Sequence, residues 1–112
     1  MKHLKLVINN DNNKNNFFKK QELQIILNLY AKMVSSGEWK DYGISISKKE
    51  VSFNVYHRAS ETPAYRITKN LKPKNNNEKY IIINSQNQII KSSEDLQNLI
   101  KKVVWKKFKL VN

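Results

Sequence analysis

Cysteine is absent from the 112 residues. That excludes a disulfide framework, a thiol nucleophile and cysteine-ligated zinc. Glycine occurs only at Gly37 and Gly43, so no glycine-rich loop is present to cradle a phosphate. The two histidines are His3 and His57, and no spacing of His, Asp and Glu suggests a metal site. A catalytic His57 would want an orienting carboxylate, with Glu61 the nearest in sequence; a strand-end histidine holding a structural hydrogen bond is the simpler reading. No enzymatic activity and no cofactor are expected. No apolar run approaches the length of a membrane span, and the run in MKHLKLVINN is too short for a signal peptide. A cytoplasmic protein is the expectation.

Acidic residues are also scarce: 9 Asp plus Glu face 21 Lys plus Arg, for a formal net charge of +12. An excess of this size favours polyanions such as nucleic acid. The competing explanation is compositional. The chain is crowded with Lys, Asn and Ile, as an AT-rich genome would produce, and lysines would then simply fill solvated faces. Arginine separates the two readings. Subtracting Arg58 and Arg66 from the 21 basic residues leaves 19 lysines, and the two arginines, eight positions apart, fall within one short stretch. The planar guanidinium grips phosphate or carboxylate in two places, which lysine cannot do.

That stretch, from Gly37 to Asn70, holds the longest alternation of apolar and polar residues. Tyr42, Ile44 and Ile46 alternate with Gly43, Ser45 and Ser47, and Val51, Phe53 and Val55 with Ser52, Asn54, Tyr56 and Arg58. Beyond Pro63, Tyr65 and Ile67 alternate with Arg66 and Thr68. Period two marks half-buried strands, here a three-stranded antiparallel meander. One face is apolar; the other bears Ser45, Asn54, Tyr56, Arg58, Arg66 and Thr68.

Upstream, residues 1–16 read as a flexible segment: a short strand over His3–Ile8 is one option, and NNDNNKNN is too polar to offset its ordering entropy. The single folded domain is expected over 17–112. Gln21–Ser35 reads as a helix whose stripe is Leu23, Ile26, Leu27, Tyr30, Met33 and Val34, with Asn16 the nearest candidate for its N-cap and Gly37 at its C-terminal cap. Downstream, Leu71–Asn77 reads as a loop, Lys79–Asn84 and Ile89–Lys91 as short strands, and Ser92 with Asp95 as a capping box opening a helix from Ser93. That helix would present Leu96, Leu99, Ile100 and Val103 on one face. The tail, Val104–Asn112, could extend the helix or form a last strand. The expected fold is therefore α+β: an N-terminal helix, an antiparallel meander sheet of four to five strands and a C-terminal helix.

Two functional readings follow. In the first, the protein binds nucleic acid without enzymatic action and with low specificity. Arg58 and Arg66 hold phosphates, Tyr56 stacks unpaired bases, and Lys101, Lys102, Lys106, Lys107 and Lys109 around Trp105 add salt-sensitive phosphate contacts. DNA and RNA, single and double strand, are all left open. In the second, it is an interaction module for an acidic protein or a second copy of itself, with Glu38, Trp39 and Glu61 at the interface. Internal ion pairs from the arginines to Glu38, Asp41 or Glu61 would weaken the first reading.

Finally, ELQIILNLYAKMVSSGEWKDYGI followed by VSFNVYHRASETPAYRI resembles a small alphaproteobacterial family of unknown function. Glu22, Leu23, Leu29, Tyr30, Met33, Val34, Gly37, Glu38, Trp39, Asp41 and Tyr42 carry the first half of the pattern. Arg58, Ser60, Glu61, Pro63, Tyr65, Arg66 and Ile67 carry the second. Lys40 and His57 stand where the family pattern has arginine. The resemblance implies a bacterial cytoplasmic protein and no particular activity.

Overall fold

In a computed structural model the described residues are 17–58, 62–103 and 105. Helix α1 spans Lys20–Ser35 and is followed by strands β1 (Asp41–Ile46), β2 (Glu50–Tyr56), β3 (Tyr65–Asn70), β4 (Tyr80–Asn84) and β5 (Ile89–Ser93), then helix α2 (Leu96–Lys102). The five strands form one sheet in the order β1-β2-β3-β4-β5, every pair antiparallel. The expected α+β meander with a helix at each end is the observed fold. The strand expected over His3–Ile8, the flexibility expected of 1–16 and, apart from Trp105, the tail Val104–Asn112 fall outside the described residues.

The register places Phe53 opposite both Ile44 and Ile67, and Ile67 opposite Ile82. These residues share one face with Val51, Val55 and Tyr80, and Ile26, Leu29 and Met33 of α1 and Leu96 and Leu99 of α2 join them in one core cluster. Both helices thus cover the same face of the sheet. The opposite face carries a chain of hydroxyl and amide groups: Asn54 Nδ2 donates to Ser45 at 3.2 Å, and Ser52 bonds Asn54 at 2.8 Å and Thr68 at 3.0 Å.

Several boundaries differ from the sequence reading. Helix α1 is capped at Lys19, not Asn16, because the Glu22 side chain reaches back to accept from the Lys19 N–H at 2.6 Å, half of a capping box. Its buried stripe is Glu22, Ile26, Leu29 and Met33, while Leu27 and Val34 are 38% and 41% exposed. A carboxylate on the stripe rotates the helix relative to the all-apolar choice. Strand β2 ends at Tyr56, so Arg58 lies beyond the ladder. Helix α2 begins at Leu96 rather than Ser93: Asp95 is its N-cap and accepts from the Asn98 N–H at 2.8 Å. Ser93, not Ser92, supports that cap, accepting from the Asp95 N–H at 3.0 Å. Val103 is extended and ends the helix, yet packs against the core. The loop after β3 contains a short 3-10 turn, Asn76–Glu78.

The C-terminus of α1 closes as the sequence suggests. Glu38 N–H donates to Met33 C=O at 2.9 Å and Gly37 N–H to Val34 C=O at 3.0 Å, the paired bonds of a Schellman motif. Gly37 has φ +84°, with open space where a Cβ would sit. The cost of a side chain there is conformational rather than steric. Gly37→Ala is expected to destabilise the fold by about 1 kcal/mol, read as a lower urea midpoint with an unchanged m-value.

Candidate functional site

Charge and aromatic groups gather at the end of the sheet where β1 and β3 begin and β2 and β4 finish. The backbone there is held by Lys40 N–H to Tyr56 C=O at 2.8 Å and Ala64 N–H to Val55 C=O at 2.7 Å. Beyond this anchored end lies an open cleft of about 830 Å³, lined by Glu38, His57, Arg58, Tyr65 and Trp105 and by the β4–β5 turn at 84–86. His57 Nδ1 donates to the Glu38 carbonyl at 2.9 Å. This is the structural hydrogen bond expected of a strand-end histidine, and it fixes the ring on the cleft wall. Arg58, exposed beside it, makes no hydrogen bond or ion pair with any described residue. The β4–β5 turn is stiffened from within: Asn84 Oδ1 accepts from the Gln86 and Gln88 N–H groups, both at 2.9 Å, and Asn87 takes the left-handed conformation at φ 65°.

The rings form a layered cluster. Trp39 is 0% exposed and meets Trp105 edge to face, centroids 5.5 Å apart at 89°. Trp105 also meets Tyr65 at 5.0 Å and 81° and donates its indole N–H to Ile100 C=O at 3.1 Å. Trp105 is therefore a packed residue that also presents surface to the cleft. Trp39 is a core residue and has no surface to offer a partner, contrary to its place in the interaction-module reading. Burial first, then the Glu38 charge, pushes the Tyr65 phenol above its ordinary value.

Tyr56 and Arg66 stand elsewhere. Both are half-buried on the face away from the helices. Arg66 pairs with Asn54 in register, which makes Tyr56, two residues on, its diagonal neighbour. The Arg66 guanidinium makes no hydrogen bond or ion pair with any described residue. It adjoins Tyr65 in sequence but lies on the other face of β3, so the two arginines flank one end of the sheet from different sides. Alternation alone assigns Arg58 to the same face as Arg66; the end of β2 at Tyr56 overturns that. Lys101 and Lys102 are exposed in the last turn of α2. Glu61, Lys106, Lys107 and Lys109 lie outside the described residues.

One cluster escaped the sequence reading. Lys69, on the core face of β3, donates to Glu22 of α1 at 2.8 Å and to Phe17 C=O at 3.3 Å, and the Tyr80 hydroxyl donates to the other Glu22 oxygen. All three residues are buried. Burial raises the Glu22 pKa, but the hydrogen bonds from Lys69, Tyr80 and the Lys19 N–H outweigh it and hold the carboxyl below its usual range. Burial, with donation to Glu22, pushes the Tyr80 phenol up. The signal was present in the spacing. Glu22 precedes Ile26, Leu29 and Met33 on one helical stripe, and Lys69 continues the inward alternation of Tyr65 and Ile67. A charge at an inward position of each element asks for a partner.

Among the described residues, no group of three His, Asp or Glu side chains is arranged to hold a metal ion, and no helix is long and apolar enough to cross a membrane. What the fold and the cleft define is a small α+β unit with helices on one sheet face and an end that gathers aromatic rings with Arg58, His57 and Glu38. The chain belongs to a family of proteins of unknown function, DUF2794, whose model matches residues 16–100. Comparisons with curated proteins and with solved structures returned no match.

Proposed function

We propose that the protein is a non-enzymatic, low-specificity nucleic-acid-binding protein of the bacterial cytoplasm. The observation that carries this reading is the state of the two arginines. In a chain of net charge +12, neither guanidinium is spent on any of the seven acids among the described residues (the nine of the sequence less Asp11 and Glu61). A solvated lysine surface needs no such arrangement, whereas phosphate recognition uses unsatisfied guanidinium forks. Tyr56 is the diagonal neighbour of Arg66 on the open face, Trp105 lines the same cleft as Arg58, and Lys101 and Lys102 add exposed positive charge in the last turn of α2.

Fluorescence anisotropy with labelled single- and double-stranded DNA and RNA tests this. Affinity is expected to fall roughly tenfold between 50 and 200 mM salt, as for two or three phosphate contacts, and Arg58→Ala and Arg66→Ala should each weaken binding. No salt-dependent anisotropy change with any probe would overturn the proposal. If Arg58→Ala abolished capture of an acidic protein while nucleic-acid affinity stayed unchanged, the interaction-module reading would replace it.

A further inference from the structure

We infer that the cleft at the sheet end receives one unpaired nucleotide, its phosphate on Arg58 and its base against Tyr65 and Trp105. The inference rests on the nucleic-acid reading and adds a preference for single strands over duplexes. The volume, about 830 Å³, lies in the range of pockets that enclose small organic ligands. The wall chemistry then selects among them. Arg58 offers one fork for one phosphate. Glu38 lines the same recess, so a second phosphate is repelled while an exocyclic amine of a base is welcome. Tyr65 and Trp105 present ring surface, and base–aromatic stacking is sequence-tolerant because every base has a π-face. The exposed Ser85 and Gln86 complete the rim with groups able to meet a base edge.

Rigidity supports the assignment. His57 is pinned to the Glu38 carbonyl, Trp105 to Ile100, and the 84–88 turn to its own asparagine. A ligand therefore meets preformed walls and little ordering cost. A duplex keeps its base faces inside the stack and can bring only phosphate to Arg58. A single strand can set a base in the cleft and run on past Arg66 and Tyr56, around the same end of the sheet.

The test is a matched pair of labelled probes, a single strand of about twelve nucleotides, within the span of known single-strand sites, and its duplex, titrated with the full chain. In a Trp39→Phe background, emission reports on Trp105. The expected result is tighter single-strand binding with quenching of Trp105. Arg58→Ala should weaken the single strand about tenfold, weaken the duplex by clearly less and abolish the quench, and Arg58→Lys should restore little because it lacks the fork. Equal affinity for both probes, or a single-strand affinity untouched by Arg58→Ala, would overturn the cleft assignment and leave the broader reading standing. Failure of both probes to bind would overturn both.

Discussion

Replacing Glu22 with alanine is expected to be among the most damaging single changes in the chain. It leaves the Lys69 ammonium buried beside only the Phe17 carbonyl and strips the Tyr80 hydroxyl of its acceptor. Breaking one side of a buried pair typically costs about 3–5 kcal/mol, because the other charge stays out of water unpaired. For a chain of this size that lowers the Tm by more than about 10 °C, measurable by circular dichroism. The double replacement Glu22→Leu with Lys69→Met removes both charges and should recover most of the loss, since apolar isosteres of a buried pair are often neutral or better. The pH dependence has a definite sign. The folded-state pKa of Glu22 is depressed. Its contribution is therefore complete above the unfolded carboxylate value and lost as pH falls through the lower, folded value. Urea midpoints measured down the acid range should drop in the wild type, and the drop should be smaller in the double replacement.

The second large effect is expected at Trp39. Its indole is fully buried between Tyr30, Tyr65 and Trp105, with centroids 6.2, 6.4 and 5.5 Å away. Trp39→Ala empties that space and should cost about 3–5 kcal/mol. Trp39→Phe should cost much less. It keeps most of the ring volume, and it removes a buried indole N–H that has no hydrogen-bond partner among the described residues, a group whose desolvation is otherwise uncompensated. Chemical denaturation of the two variants separates the packing contribution from the polar one. Because Trp39 props Trp105 and Tyr65, the alanine variant should also lose whatever binding depends on the cleft.

How much of this was legible beforehand follows from what each signal depends on. The strands of the meander were readable because alternation is local: Tyr42 to Ile46 and Val51 to Val55 declare their faces without reference to anything distant. Gly37 likewise announced the end of α1 through its own backbone freedom. The misplaced start of α2 has a different cause. Ser92, Ser93 and Asp95 all suit a cap, and the choice falls to Asp95 because β5 continues through Ser93 to pair with Tyr80, a fact that no local window contains. The Glu22–Lys69–Tyr80 cluster was hidden for the same reason, as its members are 47 and 58 positions apart. At the candidate site the residue types were readable but their grouping was not. Arg58 and Arg66 look equivalent by parity, and only the early end of β2 sends one to the cleft and leaves the other on the open face.

The strand order has a consequence for how the chain reaches its native state. Every strand pairs with its sequence neighbour, so each of the four ladders closes through a hairpin or a short connection with little loop-closure entropy. Sheets built from such near-in-sequence pairings are expected to form faster than those needing distant partners. Assembly can advance like a zip, one hairpin at a time, as the polypeptide emerges during synthesis. Only the helix made first, α1, must wait: its buried carboxylate finds Lys69 and Tyr80 after β3 and β4 exist, which makes its docking a late step.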